Sequence, residues 1–192
     1  REIKATFDPK GILNPGLIVD PDPITAHLRY GTEFKTSEIV TTFDFSGDGG
    51  IQRSAELCSG VGHCRKRTEG TMCPSYMATL DEKDSTRGRA NTLRLAMSGQ
   101  LGGEGLTSRE VYEALDLCLE CKACKSECPT YVDMAKLKYE FLHQYQKRNG
   151  VPLRSKLFAH IEGLMKFGCA FAPLSTWVVQ SLPGRMAVEW LF

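Results

Sequence analysis

Apolar residues recur at helical spacing through the middle of the chain. Val111, Leu115 and Cys118 fall at i, i+4 and i+7, and Leu137, Phe141 and Tyr145 share one face of a later stretch. Leu157, Ile161 and Leu164 repeat the register further on. Each set predicts an amphipathic helix with one apolar face. Boundary residues frame these and other helices. Pro74 suits the first turn of a helix through about Leu80. Ser85 or Thr86 can cap a second, through Leu93, Leu95 and Met97, that the glycines at 99, 102 and 103 end. Thr107 and Glu110 form a capping box before the helix that leads to Cys118. Asp133 caps another, ended by Asn149-Gly150. A further helix runs from about Leu153 to Phe167 with Gly168 as its stop, and Ser175 starts a last short one before Pro183-Gly184.

The first 30 residues have a different grammar. Asp8-Pro9, Asn14-Pro15-Gly16 and Pro21-Asp22-Pro23 separate short apolar pieces, and residues before proline favour extended backbone, so a non-helical stretch is expected. Ile39 to Phe45 is rich in β-branched and aromatic residues and is closed by Ser46-Gly47-Asp48-Gly49-Gly50, which predicts one strand or hairpin arm. The expected organisation is a tail and connector over 1–50, a mainly α-helical domain over 51–170, and the start of a following region over 171–192. Because the chain opens on Arg1 and stops on Trp190-Leu191-Phe192, it is expected to be a fragment of something longer.

Composition narrows the function classes. With 24 Lys plus Arg against 23 Asp plus Glu, a net charge of +1 and 42% hydrophobic residues, the 192-residue chain is neither intrinsically disordered nor a basic nucleic-acid arm. No run reaches the roughly 20 apolar residues of a membrane span. Pro173, Gln180, Pro183 and Arg185 interrupt the most apolar part, whose Trp177, Val178, Val179, Trp190 and Leu191 are expected to pack against a domain outside this chain.

Eight cysteines change the picture, because seven of them lie between residues 58 and 128. Cys118-x2-Cys121-x2-Cys124-x3-Cys128-Pro129 fits the bacterial ferredoxin signature. In it, three closely spaced thiolates wrap one cubane and the fourth reaches a second cluster. Zinc sites usually split their ligands into two separated pairs, and such crowding does not suit long-range disulfides. A cluster in turn implies a reducing compartment, the cytoplasm. The partner motif is Cys58-x5-Cys64-x8-Cys73-Pro74, in which Val61 stands where a complete motif has its middle cysteine. Crossing the motifs gives a full 4Fe-4S site from Cys73, Cys118, Cys121 and Cys124, and a cysteine-deficient site from Cys58, Cys64 and Cys128. The second holds either a 3Fe-4S cluster or a 4Fe-4S cluster with a non-cysteine ligand, for which His63 is the nearest candidate.

The remaining residues of this kind read as structural. Cys169, among apolar neighbours, is expected to be a small core hydrophobe, and His27, His143 and His160 fall outside any spaced ligand set. Arg65, Lys66, Arg67, Arg87, Arg89, Lys122 and Lys125 flank the motifs. Any single lysine among them is expected to be a solvated surface cation, while together these cations would raise the potential of an anionic cluster. No aromatic residues interleave them, which speaks against nucleic-acid binding.

Cys58-Ser-Gly-Val-Gly-His-Cys64-Arg-Lys, Met72-Cys73-Pro74-Ser75-Tyr76-Met77 and Ser85-Thr86-Arg87-Gly88-Arg89-Ala90 resemble the iron-sulfur domain of fused FAD-linked oxidase/iron-sulfur proteins. That family includes glycolate oxidase, bacterial D-lactate dehydrogenase and D-2-hydroxyglutarate dehydrogenase. Phe7-Asp8-Pro9-Lys10-Gly11-Ile12-Leu13-Asn14-Pro15-Gly16 is similar to the end of the FAD-linked oxidase domain, and the resemblance covers about residues 7 to 167. It implies a two-cluster, ferredoxin-like helical domain behind an extended or β tail of that oxidase domain. This segment would have no substrate site of its own. It would take electrons from FAD bound in an N-terminal domain, on the same or a partner chain, and pass them to an acceptor such as a quinone. An oligomer is expected, in the cytoplasm or peripheral on the inner face of the membrane. Rival readings are the iron-sulfur subunit of another flavoenzyme, of the glycerol-3-phosphate or succinate dehydrogenase type, and a non-catalytic iron-sulfur redox sensor.

Overall fold

The computed structural model describes residues 1–34, 38–102 and 105–191, without the side chains of Trp190 and Leu191. It divides into two compact units, Arg1–Glu38 and Ile39–Phe192. Gly103, one of the helix-ending glycines, lies outside the described residues.

The first unit carries one short helix, α1 (Glu2–Phe7), where the proline pattern predicted none. The breakers begin only at Asp8-Pro9, and Asp8 leaves the helix with φ −138° and ψ 66°, outside the helical region that a following proline disfavours. Its buried carboxylate then accepts the N–H groups of Ile12 (3.0 Å) and Leu13 (2.9 Å), which folds the next turn back on the helix end.

The second unit opens with the segment expected to be a strand, but no strand exists among the described residues. The backbone of this segment finds side-chain partners instead. Thr42 and Phe43 donate their N–H groups to the buried Glu140 carboxylate at 2.9 and 3.0 Å, and Gln144 donates to the Val40 carbonyl at 2.9 Å. Side chains of a helix thus supply the pairing that a neighbouring strand would have given.

The helices that follow are α2 (Ile51–Glu56), α3 (Pro74–Thr79), α4 (Thr86–Met97), α5 (Arg109–Asp116), α6 (Ala123–Glu127) and α7 (Met134–Asn149). Ile51 and Ala55 of α2, Leu93 and Met97 of α4, Val111 and Leu115 of α5, and Leu137 and Phe141 of α7 form one core with Met72 and Val132 from the cysteine loops. A large apolar side chain buried in this way stabilises by about 1.5–3 kcal/mol. Three caps set the helix starts. Ser85 accepts from Gly88 N–H at 2.9 Å, Asp133 from Lys136 N–H at 3.1 Å, and Ser108 from Val111 N–H at 3.3 Å. Ser108 replaces the predicted Thr107 as cap, because Thr107 is held in the 3-10 turn Gly105–Thr107. Gly88 permits a close approach: a Cβ there would sit 2.0 Å from the Glu82 carbonyl oxygen.

Beyond α7 come α8 (Leu153–Ala159), α9 (Ile161–Ala170), α10 (Ala172–Gln180) and α11 (Leu182–Leu191). The single helix predicted over 153–167 breaks at His160 and resumes past Gly168, which does not stop it. Proline in a first turn, here Pro173, starts α10 three residues before the predicted Ser175. No residue of α8, α9 or α10 is buried. Cys169 is therefore exposed and not part of the core. None of the described helices is long and apolar enough to cross a membrane.

The docking of residues 39–45 on α7 rests on Glu140. Replacing Glu140 with Ala leaves two N–H groups without an acceptor and should destabilise the protein by about 3 kcal/mol, with Glu140→Gln intermediate. Urea denaturation monitored by circular dichroism checks this, and a loss for Glu140→Ala below about 0.5 kcal/mol, the range of an ordinary surface change, would contradict it.

Candidate metal centre

The local fold gathers the cysteines from both motifs. Cys58 follows α2, Cys64 lies in the 3-10 turn His63–Arg65, and Cys73 directly precedes α3. Cys118 follows the end of α5, Cys124 lies in α6, and Cys128 closes it. Cys73, Cys118, Cys121 and Cys124 line one concave space, with Thr86, Arg89 and Met134 in its wall. Cys58, Cys64 and Cys128 line a second, together with Val61, His63 and Arg87. Each motif thus lends its last cysteine to the other's space, and Thr86 lines both.

Helix N-termini face the sulfurs. Thr86 donates its N–H to Cys73 Sγ at 3.0 Å, its hydroxyl lies 2.9 Å from the same sulfur, and Arg87 N–H reaches Cys64 Sγ at 3.4 Å. These are the first residues of α4. The first residues of α7, Met134 and Ala135, line the first space as well, and their backbone N–H groups favour the Cys124 thiolate. Unpaired N–H groups and the positive end of the helix dipole both favour thiolate over thiol. Cys64 is pulled down to about 6 chiefly by the neighbouring Cys73 thiol, helped by Arg87 N–H and Ser85, against the opposing cost of burial. The same contact, with burial, pushes Cys73 up; burial first, then neighbouring thiols, raises Cys58 and Cys124, and Asp133 adds to the rise at Cys124.

The loops hold conformations that non-glycine residues rarely adopt. Cys73, Glu120, Lys122 and Tyr131 have φ of 56°, 56°, 60° and 55°, at about 1–3 kcal/mol each. Glu120 and Lys122 flank Cys121, and Lys138 pins this stretch. Its buried ammonium donates to the Cys118 carbonyl at 2.7 Å and the Asp116 carbonyl at 3.4 Å, and pairs with Glu120 at 3.1 Å. Glu127 does the same for the other motif by accepting Thr71 N–H at 2.9 Å and Met72 N–H at 3.2 Å, just before Cys73. Neither Lys138 nor Glu127 was singled out from sequence. The available signal was a lysine on the apolar face of a predicted helix, four residues after Met134 and three before Phe141.

Arg89, one of the cations that flank the motifs in sequence, is 2% exposed. It donates to the Ala114 carbonyl (3.0 Å) and Ser75 Oγ (2.9 Å) and pairs with buried Asp84 at 3.6 Å. Asp84 Oδ2 accepts from Thr79, while its Oδ1 receives no hydrogen bond. The wall of the first space therefore carries a fixed guanidinium. Around the second, Arg87 donates to Glu82 (2.7 Å) and the Gly60 carbonyl (3.2 Å), and Arg65 pairs with Glu82 at 2.9 Å. Lys125 is paired with Asp133 at 3.1 Å, and His27 with Asp22 at 3.2 Å. His143 and His160 are exposed and line neither space.

No three His, Cys, Asp or Glu side chains among the described residues converge closely enough to hold a single metal ion. A tetrahedral zinc site needs four donors within about 2.3 Å of one point. The thiols instead surround a space, and a soft, all-sulfur donor set that accepts N–H groups suits an iron-sulfur cluster. Val61 offers no donor to the second space, whereas half-buried His63 does.

Comparison with known proteins agrees with this chemistry. A family model described as a 4Fe-4S dicluster domain matches residues 54–132. D-2-hydroxyglutarate dehydrogenase of Escherichia coli is 30% identical over 91% of this chain and 20% of its own length. The enzymes of the same name from Pseudomonas putida, 28% identical over 98% and 22%, and Pantoea ananatis, 30% over 91% and 20%, are similar to it as well. The chain spans about a fifth of the length of these curated relatives. No solved structure matches it. Residues 54–132 thus match the 4Fe-4S dicluster family, and the chain as a whole is similar to part of the D-2-hydroxyglutarate dehydrogenases.

Proposed function

We propose that this chain is the relay of a longer enzyme that oxidises a 2-hydroxy acid of the D-2-hydroxyglutarate type at an FAD outside this segment. The observation that carries the reading is the pair of thiol-lined spaces sharing Thr86 as a common wall. A relay needs two redox centres held close, in fixed orientation and shielded from water. When bound, iron-sulfur clusters supply one-electron chemistry at potentials set by charge, hydrogen bonds and exposure.

The chain's own residues divide that work. Cys73, Cys118, Cys121 and Cys124 hold the four-iron cluster, and Cys58, Cys64 and Cys128 the second. Thr86, Arg87, Met134 and Ala135 direct N–H groups at the sulfurs, offsetting thiolate charge. Arg89 keeps a cation beside the first space that bulk water does not screen. Lys138 and Glu127 hold the cysteine loops in their left-handed turns. A reducing compartment, the cytoplasm, suits a chain whose cysteines must stay reduced to bind.

Two substitutions in the full-length enzyme test the assignment. Cys121→Ser should remove most of the four-iron signal and cut substrate-to-acceptor turnover by about two orders of magnitude or more while flavin reduction by substrate persists. Wild-type cluster content and turnover would refute it. Val61→Cys should supply the second space with a fourth thiolate. Electron paramagnetic resonance is then expected to lose any three-iron signal of the oxidised enzyme and to show two interacting four-iron centres on reduction. An unchanged spectrum would mean that position 61 does not face that centre.

A further inference from the structure

Two threonine hydroxyls touch cysteine sulfurs, and the sulfurs they touch are those that cross between the motifs. Thr86 Oγ1 lies 2.9 Å from Cys73 Sγ, and Thr130 Oγ1 lies 3.3 Å from Cys128 Sγ. Cys73 ends the first motif but lines the space of Cys118, Cys121 and Cys124, while Cys128 ends the second motif but lines the space of Cys58 and Cys64. Thr130 lines that second space as well. Neither hydroxyl has another hydrogen-bond partner among the described residues.

Chemistry sets the direction of both bonds. A cysteine sulfur bound to iron carries no proton and can only accept, so each hydroxyl must donate. A donor aimed at a ligating sulfur draws charge from it and favours the reduced, more negative state of the centre. The two sulfurs are served unequally. Cys73 also accepts the Thr86 N–H at 3.0 Å, and Thr86 is 3% exposed. The bond to Cys128 is longer, and Thr130 is half-buried. Hydrogen bonds shielded from water are the stronger ones.

We infer that Thr86 and Thr130 are positioning residues that set the potentials of the two centres separately, Thr86 through Cys73 at the first and Thr130 through Cys128 at the second. The inference deepens the relay reading and rests on it. Because the cysteines cross, each threonine follows one motif in sequence and acts on the centre built mainly from the other.

The test is a potentiometric titration of the anaerobically purified full-length enzyme, followed by electron paramagnetic resonance. The first centre is identified as the one whose signal Cys121→Ser removes. Thr86→Val keeps the branched shape, the backbone N–H and the Ser85 cap, and removes only the hydroxyl. It should lower the midpoint of the first centre by about 59 mV, a tenfold loss in its one-electron reduction equilibrium, and leave the second in place. Thr130→Val should do the reverse, with a loss of about threefold at the second centre. Thr86→Ala should match Thr86→Val. Thr86→Ser and Thr130→Ser keep the hydroxyl and should titrate as the wild type, a rescue that a purely steric role would not give. Two Val variants that move the same midpoint, or move neither, would overturn the assignment and leave the relay standing. Loss of a centre in the Val and Ser variants alike would overturn it too, because the side chain would then serve only assembly. A wild-type enzyme without cluster signals would overturn both readings.

Discussion

Several cysteine sulfurs have to be held as thiolates in a largely buried place, and the start of α4 is where the fold meets that demand. Thr86 and Arg87 turn consecutive N–H groups onto Cys73 and Cys64, one sulfur on each of the two lined spaces. Moving this helix end would disturb both spaces together. Its position is therefore fixed several times over: by the Ser85 cap, by the contact at Gly88 that leaves no room for a Cβ, and by the buried Arg89–Asp84 pair that ties α4 to the Glu82–Asp84 turn. The hydrophobic core of α2, α4, α5 and α7 serves the same end, placing the N-termini of α4 and α7 beside the cysteine loops.

The electrostatics follow from this arrangement. Thiolate-ligated clusters carry negative charge, and burying charge is tolerated only when it is compensated. The compensation here comes from helix N-termini and from two buried cations, Arg89 and Lys138, each also bonded to the backbone of α5 or the residue after its cap. Surface cations such as Lys125 add little, because they are paired and screened. The left-handed turns at Glu120 and Lys122 store strain beside Cys121, and Lys138 is the side chain that holds them.

Much of this was legible in the sequence because cysteine spacing and helix caps act locally. The ferredoxin-like run identified the dicluster chemistry, and Ser85 and Asp133 marked two helix starts correctly. What was missed depends on contacts distant in sequence. The segment 39–45 has strand composition, but Glu140, about a hundred residues away, takes its N–H groups and no partner strand is needed. Arg89 looks like its neighbours Arg87 and Lys83, and only the packing of α3, α4 and α5 buries it. Cys169 sits in an apolar run that a core would normally absorb, yet α8, α9 and α10 bury none of their residues. The short α1 escaped notice because proline signals were extended backwards over residues they do not reach.

The central claim, two clusters held by one shared scaffold, is tested most directly by iron and acid-labile sulfide analysis of anaerobically purified protein. Electron paramagnetic resonance before and after dithionite reduction accompanies it. The account predicts about seven or eight irons per chain and a reduced four-iron signal, with a three-iron signal in the oxidised sample if the count is seven. Zinc in place of iron, with no paramagnetic signal in either state, would contradict it.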